Sequence, residues 1–259
     1  CGRQPMFNLI PNWLRIPGNS IAAVCDIVPD RLEAARRTAG EGTKTYSDYR
    51  RLLAETDVPA VIVATPPHTH REIVEEAFRC ERDVYCETPL ALTVEDARAL
   101  CRQAETGRRV LQAGHIRRYH PWYFAASGTY FWPHDRYSPT KIHCRWNTNG
   151  AWRKPAPEID TDLAPWGYPD AEHLANWHLY RRYSHGLMSE RVLHQLEAVD
   201  FVADDGLPLA VSAVGRIDHA DGRDVFDNVH LIYEYRGDVI ATFESLLTNR
   251  YNPFGGQEY

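Results

Sequence analysis

Two runs decide the fold: Ala60-Val61-Ile62-Val63-Ala64-Thr65-Pro66-Pro67-His68-Thr69-His70, and after it Val84-Tyr85-Cys86-Glu87-Thr88-Pro89-Leu90. The first opens as a short, continuously apolar segment and breaks at two prolines, the pattern of a buried strand ending in a turn. Arg71 to Arg82 then reads as a helix that buries Ile73, Val74, Ala77 and Phe78. Asp83 to Cys86 is a second buried strand. A strand, a helix and a strand in so few residues predict a parallel pair joined by a crossover.

The same alternation extends in both directions. Ile21 to Cys25 reads as a strand. Asp30-Arg31-Leu32-Glu33 has capping-box spacing for the following helix, and Gly40 is a natural stop. Ser47 is placed to cap a short helix through Leu52 and Leu53. Thr93 opens a helix carrying Ala97, Leu100, Cys101 and Ala104 on one face and ending at Gly107, and Arg109 to Ala113 is a further strand. Beyond about residue 120 the pattern changes. Residues 140–147, 209–218, 228–235 and 239–246 read as longer strands, with a hairpin signal at Gly237 and one helix over about 187–203. Residues 151–183 are rich in Pro, Trp, Tyr and Asp and lack periodicity, as functional segments of compact domains often do. The expected architecture is α/β: a Rossmann-like, doubly wound parallel sheet over residues 1–120, then an α+β domain with an open, mainly antiparallel sheet over 121–259.

Composition narrows the function classes. Hydrophobic content of 44% and charged content of 25% are those of an ordinary globular protein. A net charge of −6, with basic residues only in isolated pairs, argues against nucleic acid as partner. No apolar run is long enough to span a membrane. The six cysteines contain no Cys-x-x-Cys pair, so no zinc knuckle is expected and no metal is assigned. Reduced cysteines suit a cytoplasmic location, and a chain exported after signal removal would look the same.

Thr65-Pro66…His70 followed by Glu87-Thr88-Pro89 resembles the Gfo/Idh/MocA family of nicotinamide-dependent sugar and polyol oxidoreductases. The family's second motif reads Glu-Lys-Pro, with the Lys beside the reacting carbon; here that position is Thr88. Family members are longer at both ends, so the resemblance implies that the first strand and part of the second domain are missing from this chain. Gly2 corresponds to the second glycine of the phosphate loop, with Pro5 in place of the third. Asp26 ends the next strand, where a carboxylate accepts from the adenosine ribose hydroxyls and repels a 2′-phosphate, favouring NAD over NADP; an ordinary turn residue is the alternative. Thr65, Pro66, His70, Glu87 and Thr88 are the implied cofactor contacts, with helix capping the alternative for His70. Gly114-His115-Ile116-Arg117-Arg118-Tyr119-His120-Pro121 resembles the family's crossing segment, and Arg118 matches its recurrent Arg.

For acid–base chemistry the candidate is His194, in Glu190-Arg191-Val192-Leu193-His194-Gln195-Leu196-Glu197. The family pattern is Asp-x-Gly-x-His-x-x-Asp, so Glu190, Val192 and Glu197 are replacements. Regular helix geometry puts Glu190 and His194 on one face, four residues apart, where the carboxylate would orient the imidazole. A structural His satisfied by Glu190 and a metal ligand are the other readings. Arg118, Trp152, Arg153 and Tyr183 are the candidate substrate contacts, since aromatic rings stack on sugar faces and Arg binds carboxylate or phosphate. The expected function is NAD-dependent oxidation or reduction of a secondary hydroxyl in a sugar, polyol or sugar acid, by a homo-oligomer. Its rivals are a glycosidase using NAD transiently and a non-catalytic binding or scaffold paralogue.

Overall fold

The computed structural model describes residues 5–126, 139–202 and 206–248. Two compact units emerge: Cys1–Gly114 with Ala156–Leu174, and His115–Pro155 with Ala175–Tyr259. The first unit ends six residues before the expected boundary near 120 and takes in a later segment. Tyr168 of that segment is buried and meets the His68 ring edge-on, with centroids 5.4 Å apart.

The first unit begins with a π-helical turn, Pro5–Leu9, and the short helix α1 (Ile10–Leu14). Then come β1 (Ala23–Cys25), α2 (Pro29–Ala39), β2 (Lys44–Tyr46), α3 (Tyr49–Glu55), β3 (Ala60–Val63), α4 (His70–Arg79), β4 (Asp83–Cys86), α5 (Val94–Gly107) and β5 (Leu111–Ala113). Every pairing is parallel, as the alternation predicts, but the strands form two sheets, β1–β2 and β3–β4–β5. Among the described residues no strand is hydrogen-bonded to both. Helix α3 packs on β1 and β2 and also on α4, which covers β3 and β4. The core under it consists of Leu53, Val63, Val74, Ala77, Val84, Cys86 and Leu100. Burial pushes the Cys86 thiol up to about 12, so it packs as a small hydrophobe.

Caps differ from two of the sequence expectations. Helix α2 starts at Pro29, one residue before Asp30, with Val28 as an uncapped N-terminus. Proline is preorganised for that first position, which displaces the capping box. Asp48, not Ser47, caps α3 by accepting from the Arg50 N–H at 2.9 Å. Thr93 does cap α5, and Gly40 ends α2 at φ +111°.

The short helix α7 (Ala171–Ala175) belongs to the first unit up to Leu174, and the second unit carries α6 (Pro121–Ala126), β6 (Lys141–Asn147), α8 (Leu193–Val202), β7 (Ala210–Arg216), β8 (Asn228–Glu234) and β9 (Ile240–Leu246). Its sheet is mixed, in the order β6–β9–β8–β7; β6 runs parallel to β9 and the other pairs are antiparallel. Gly237 (φ +74°) and Asp238 (φ +59°) turn the β8–β9 hairpin in the left-handed region. One sheet face packs Val229, Leu231, Ala241 and Phe243 against Leu187, Val192 and Val199. His143, Arg145, His230 and Ile232 lie on the opposite, exposed face.

Candidate functional site

In the first unit the ligand-competent edge is the carboxyl end of the parallel strands. Asp26 follows β1, and its Oδ1 accepts from the Val28 N–H at 2.8 Å, which fixes the carboxylate at the strand end. Thr65-Pro66 follows β3 and Glu87 follows β4, where Val63 and Cys86 are directly paired. Tyr85 Oη donates to Glu87 Oε1 at 3.3 Å. Gly114, just past β5, permits the close passage of its own backbone. A Cβ there would stand 2.7 Å from Tyr85 Oη and 3.2 Å from Glu87 Cα.

His70 occupies this edge differently from the expectation. Its ring is fully buried, with Nδ1 2.8 Å from the Pro89 carbonyl and Nε2 2.8 Å from the Thr65 carbonyl. Burial pushes its pKa down against the upward pull of those carbonyls. The imidazole lies between the loop after β3 and the loop after β4, each ring nitrogen facing a backbone carbonyl. Gly2, the expected phosphate-loop glycine, lies outside the described residues.

In the second unit the expected Glu190–His194 pair does not form. Met188–Val192 is a π-helical turn, and its wider winding shifts the phase that a regular helix would have kept. Glu190 turns to Ser184 Oγ and Ser189 Oγ, which donate to its Oε1 at 2.9 and 3.1 Å. Burial pushes the Glu190 carboxyl up to about 7. The carboxylate facing His194 is instead Glu197, one turn further along α8: its Oε2 lies 4.0 Å from His194 Nδ1 and 3.7 Å from His115 Nδ1. Glu197 Oε1 accepts the Arg118 backbone N–H at 2.9 Å. Burial alone would raise this carboxyl, but the two histidines and that amide outweigh it and bring it down to about 2. Composition gave no sign of His115; its proximity to Glu197 depends on the Arg117–Tyr119 turn packing on α8.

The candidate substrate contacts have structural partners. Arg153 Nε reaches Asp221 Oδ2 at 3.3 Å and its guanidinium also donates to the Asp221 carbonyl. Trp152 lies between His178, 4.5 Å away, and the Arg191 guanidinium, 5.2 Å away. Tyr183 is 2% exposed and belongs to the core, which corrects its assignment to substrate. Around these residues runs a buried ionic network that periodicity could not signal. Arg223, with its side chain 1% exposed, donates to both Asp221 oxygens and lies 3.6 Å from Asp227. Those guanidinium hydrogen bonds hold Asp221 well below the usual carboxylate range.

Residues 5–115 match a family described as "Oxidoreductase family, NAD-binding Rossmann fold". That family is Gfo/Idh/MocA, and the match lies, but for its last residue, within the first unit. Among curated relatives of the Gfo/Idh/MocA region, inositol 2-dehydrogenase from Salmonella typhimurium is 35% identical over 109 residues, 42% of this chain and 32% of that protein. Inositol 2-dehydrogenase/D-chiro-inositol 3-dehydrogenase from Lactiplantibacillus plantarum is 36% identical over 104 residues, 40% of this chain and 30% of that one. The matched segment thus spans about a third of these relatives' length. The fold is shared over nearly the whole chain. An oxidoreductase from Agrobacterium radiobacter in complex with NAD+, L-tartaric acid and magnesium superposes with a TM-score of 0.76 at 18% identity, covering 98% of this chain and 67% of that one. The aldose-aldose oxidoreductase from Caulobacter crescentus gives 0.75 at 21%, covering 95% and 69%.

Proposed function

We propose that this protein is an NAD-dependent oxidoreductase acting on a secondary hydroxyl of a sugar, polyol or sugar acid. The observation that carries the reading is the family match over residues 5–115. Asp26, Thr65, Pro66 and Glu87 stand at the carboxyl ends of parallel strands within that region. That donor set fits the cofactor: Asp26 would accept from the adenosine ribose diol, and the loops after β3 and β4, with His70 between them, would line the nicotinamide end. The Asp26 charge repels a 2′-phosphate, so NAD is preferred over NADP. NAD, when bound, supplies the hydride acceptor.

His194 receives the hydroxyl proton in this reading, and an imidazole is suited to that role near neutral pH. The inositol dehydrogenase relatives make a cyclic polyol the first substrate to test. Self-association as a homo-oligomer belongs to the same proposal, supported by the exposed sheet face that includes Val214 (73% exposed) and Ile232 (46%). A second reading, a non-catalytic cofactor-binding paralogue, is favoured by Thr88, a neutral hydroxyl where the resembling family has a Lys. The discriminating experiment is NADH formation over a panel of inositols, sugars and sugar acids, with wild type and His194→Ala. Turnover lost in His194→Ala supports the oxidoreductase. Cofactor bound without turnover on any substrate supports the second reading.

A further inference from the structure

Glu197 is a buried carboxylate, its side chain 1% exposed, with one oxygen satisfied and one not. Oε1 holds the Arg118 N–H. Oε2 has no hydrogen-bond donor among the described residues, and the same is true of the two nitrogens nearest to it, His115 Nδ1 and His194 Nδ1. An unpaired carboxylate oxygen in such a place is expensive, while a charge-assisted hydrogen bond to it is worth more than an ordinary one. The 3.7 and 4.0 Å gaps are about an ångström longer than hydrogen bonds, a distance that small rotations of the imidazoles can close.

We propose that Glu197 Oε2 is a shared acceptor for the Nδ1–H groups of His115 and His194, with both Glu197 and His115 acting as positioning residues for His194. Two consequences follow from imidazole chemistry. An Nδ1–H held on the carboxylate leaves the neutral ring's lone pair on Nε2, so His194 presents a proton acceptor on the side away from Glu197. His115, bonded to the same oxygen and anchored near the Arg118 amide, keeps that oxygen from turning toward solvent. Arg191, on the adjoining turn, is directed to Trp146, Trp152 and Thr148. The proposed reaction supplies the use for this Nε2, but the tautomer itself does not depend on it.

The test is a two-bond 1H–15N correlation of the intact, 15N-histidine-labelled chain, without cofactor or substrate. His115→Gln and His194→Gln assign the signals. The expected spectrum shows neutral His194 and His115 as Nδ1–H tautomers, and Glu197→Gln returns His194 toward the Nε2–H form that free imidazoles favour. An Nε2–H tautomer for His194 in wild type overturns the proposal without any variant. Unchanged tautomers in folded Glu197→Gln overturn it as well. If turnover is found, Glu197→Gln should lower kcat about 10- to 100-fold with little change in KM, and Glu197→Asp should restore part of the loss. Absence of turnover with the expected tautomers removes the proposed reaction and leaves the shared carboxylate standing.

Discussion

Replacing Glu190 by Gln should change how stability depends on pH, by an amount that follows from the carboxyl's surroundings. Burial moves this group from its ordinary 4.5 to about 7, against the pull of the Ser184 and Ser189 hydroxyls. In that interval the folded protein keeps a proton that the unfolded chain has released. Stability therefore falls as pH rises from 4.5 to about 7 and is level above that. At about 1.4 kcal/mol for each pH unit of displacement, the full loss is on the order of 3 kcal/mol. Gln keeps an acceptor oxygen for both hydroxyls and never ionises. The variant should equal wild type at about pH 4.5 and exceed it by about 3 kcal/mol at about pH 8. Urea unfolding at several pH values measures this, because every other titrating group cancels in the difference between the two proteins. Glu197 titrates in a separate window below 4.5, where its stabilisation is lost as pH falls toward about 2. A difference that is flat between pH 4.5 and 8 would refute the buried, proton-retaining account of Glu190.

Three further outcomes are expected. Asp26→Ala should weaken NAD binding by about 10- to 100-fold, the worth of hydrogen bonds to a charged acceptor, and narrow the preference over NADP; fluorescence titration reads both. Thr88→Lys should raise NADH formation, since one well-placed donor to a developing alkoxide is worth about 2.7–4 kcal/mol, and unchanged turnover with NAD still bound would favour the binding paralogue. Arg223→Ala should cost about 1.5–3 kcal/mol in unfolding experiments, because it removes the guanidinium hydrogen bonds to Asp221, which keeps Arg153, and the cation beside buried Asp227; a loss under about 1 kcal/mol would show the network to be dispensable.

The parallel half of the fold was legible because buried strands write continuous apolar runs. Asp83–Cys86 is found as read, and Ala60–Val63, Leu111–Ala113 and the helices between them differ only at their ends. The short strand Lys44-Thr45-Tyr46 is silent in the sequence, because Lys and Thr leave no apolar run. Its neighbours also form two sheets, and hydrogen-bond partners are a tertiary fact that periodicity does not carry. The candidate site was legible in residue type more than in pairing. His194 was identifiable from its motif, but its partner depended on helix phase. A π-helical turn over Met188–Val192, which no residue in that stretch announces, hands Glu190 to two serines and leaves Glu197 opposite the histidine. His115 lies far from Glu197 in sequence, and only the fold shows them together. Arg153 and Tyr183 carry side chains that suit sugars, yet the same chemistry serves an ion pair with Asp221 and a place in the core.

The central claim is that the parallel-strand edge holding Asp26, Thr65 and Glu87 is a site for NAD. The most direct measurement is calorimetric titration of the chain with NAD and, separately, with NADP under identical conditions. Saturable binding of NAD at lower concentration than NADP is the predicted result. Equal or tighter binding of NADP, or saturation by neither, would contradict it.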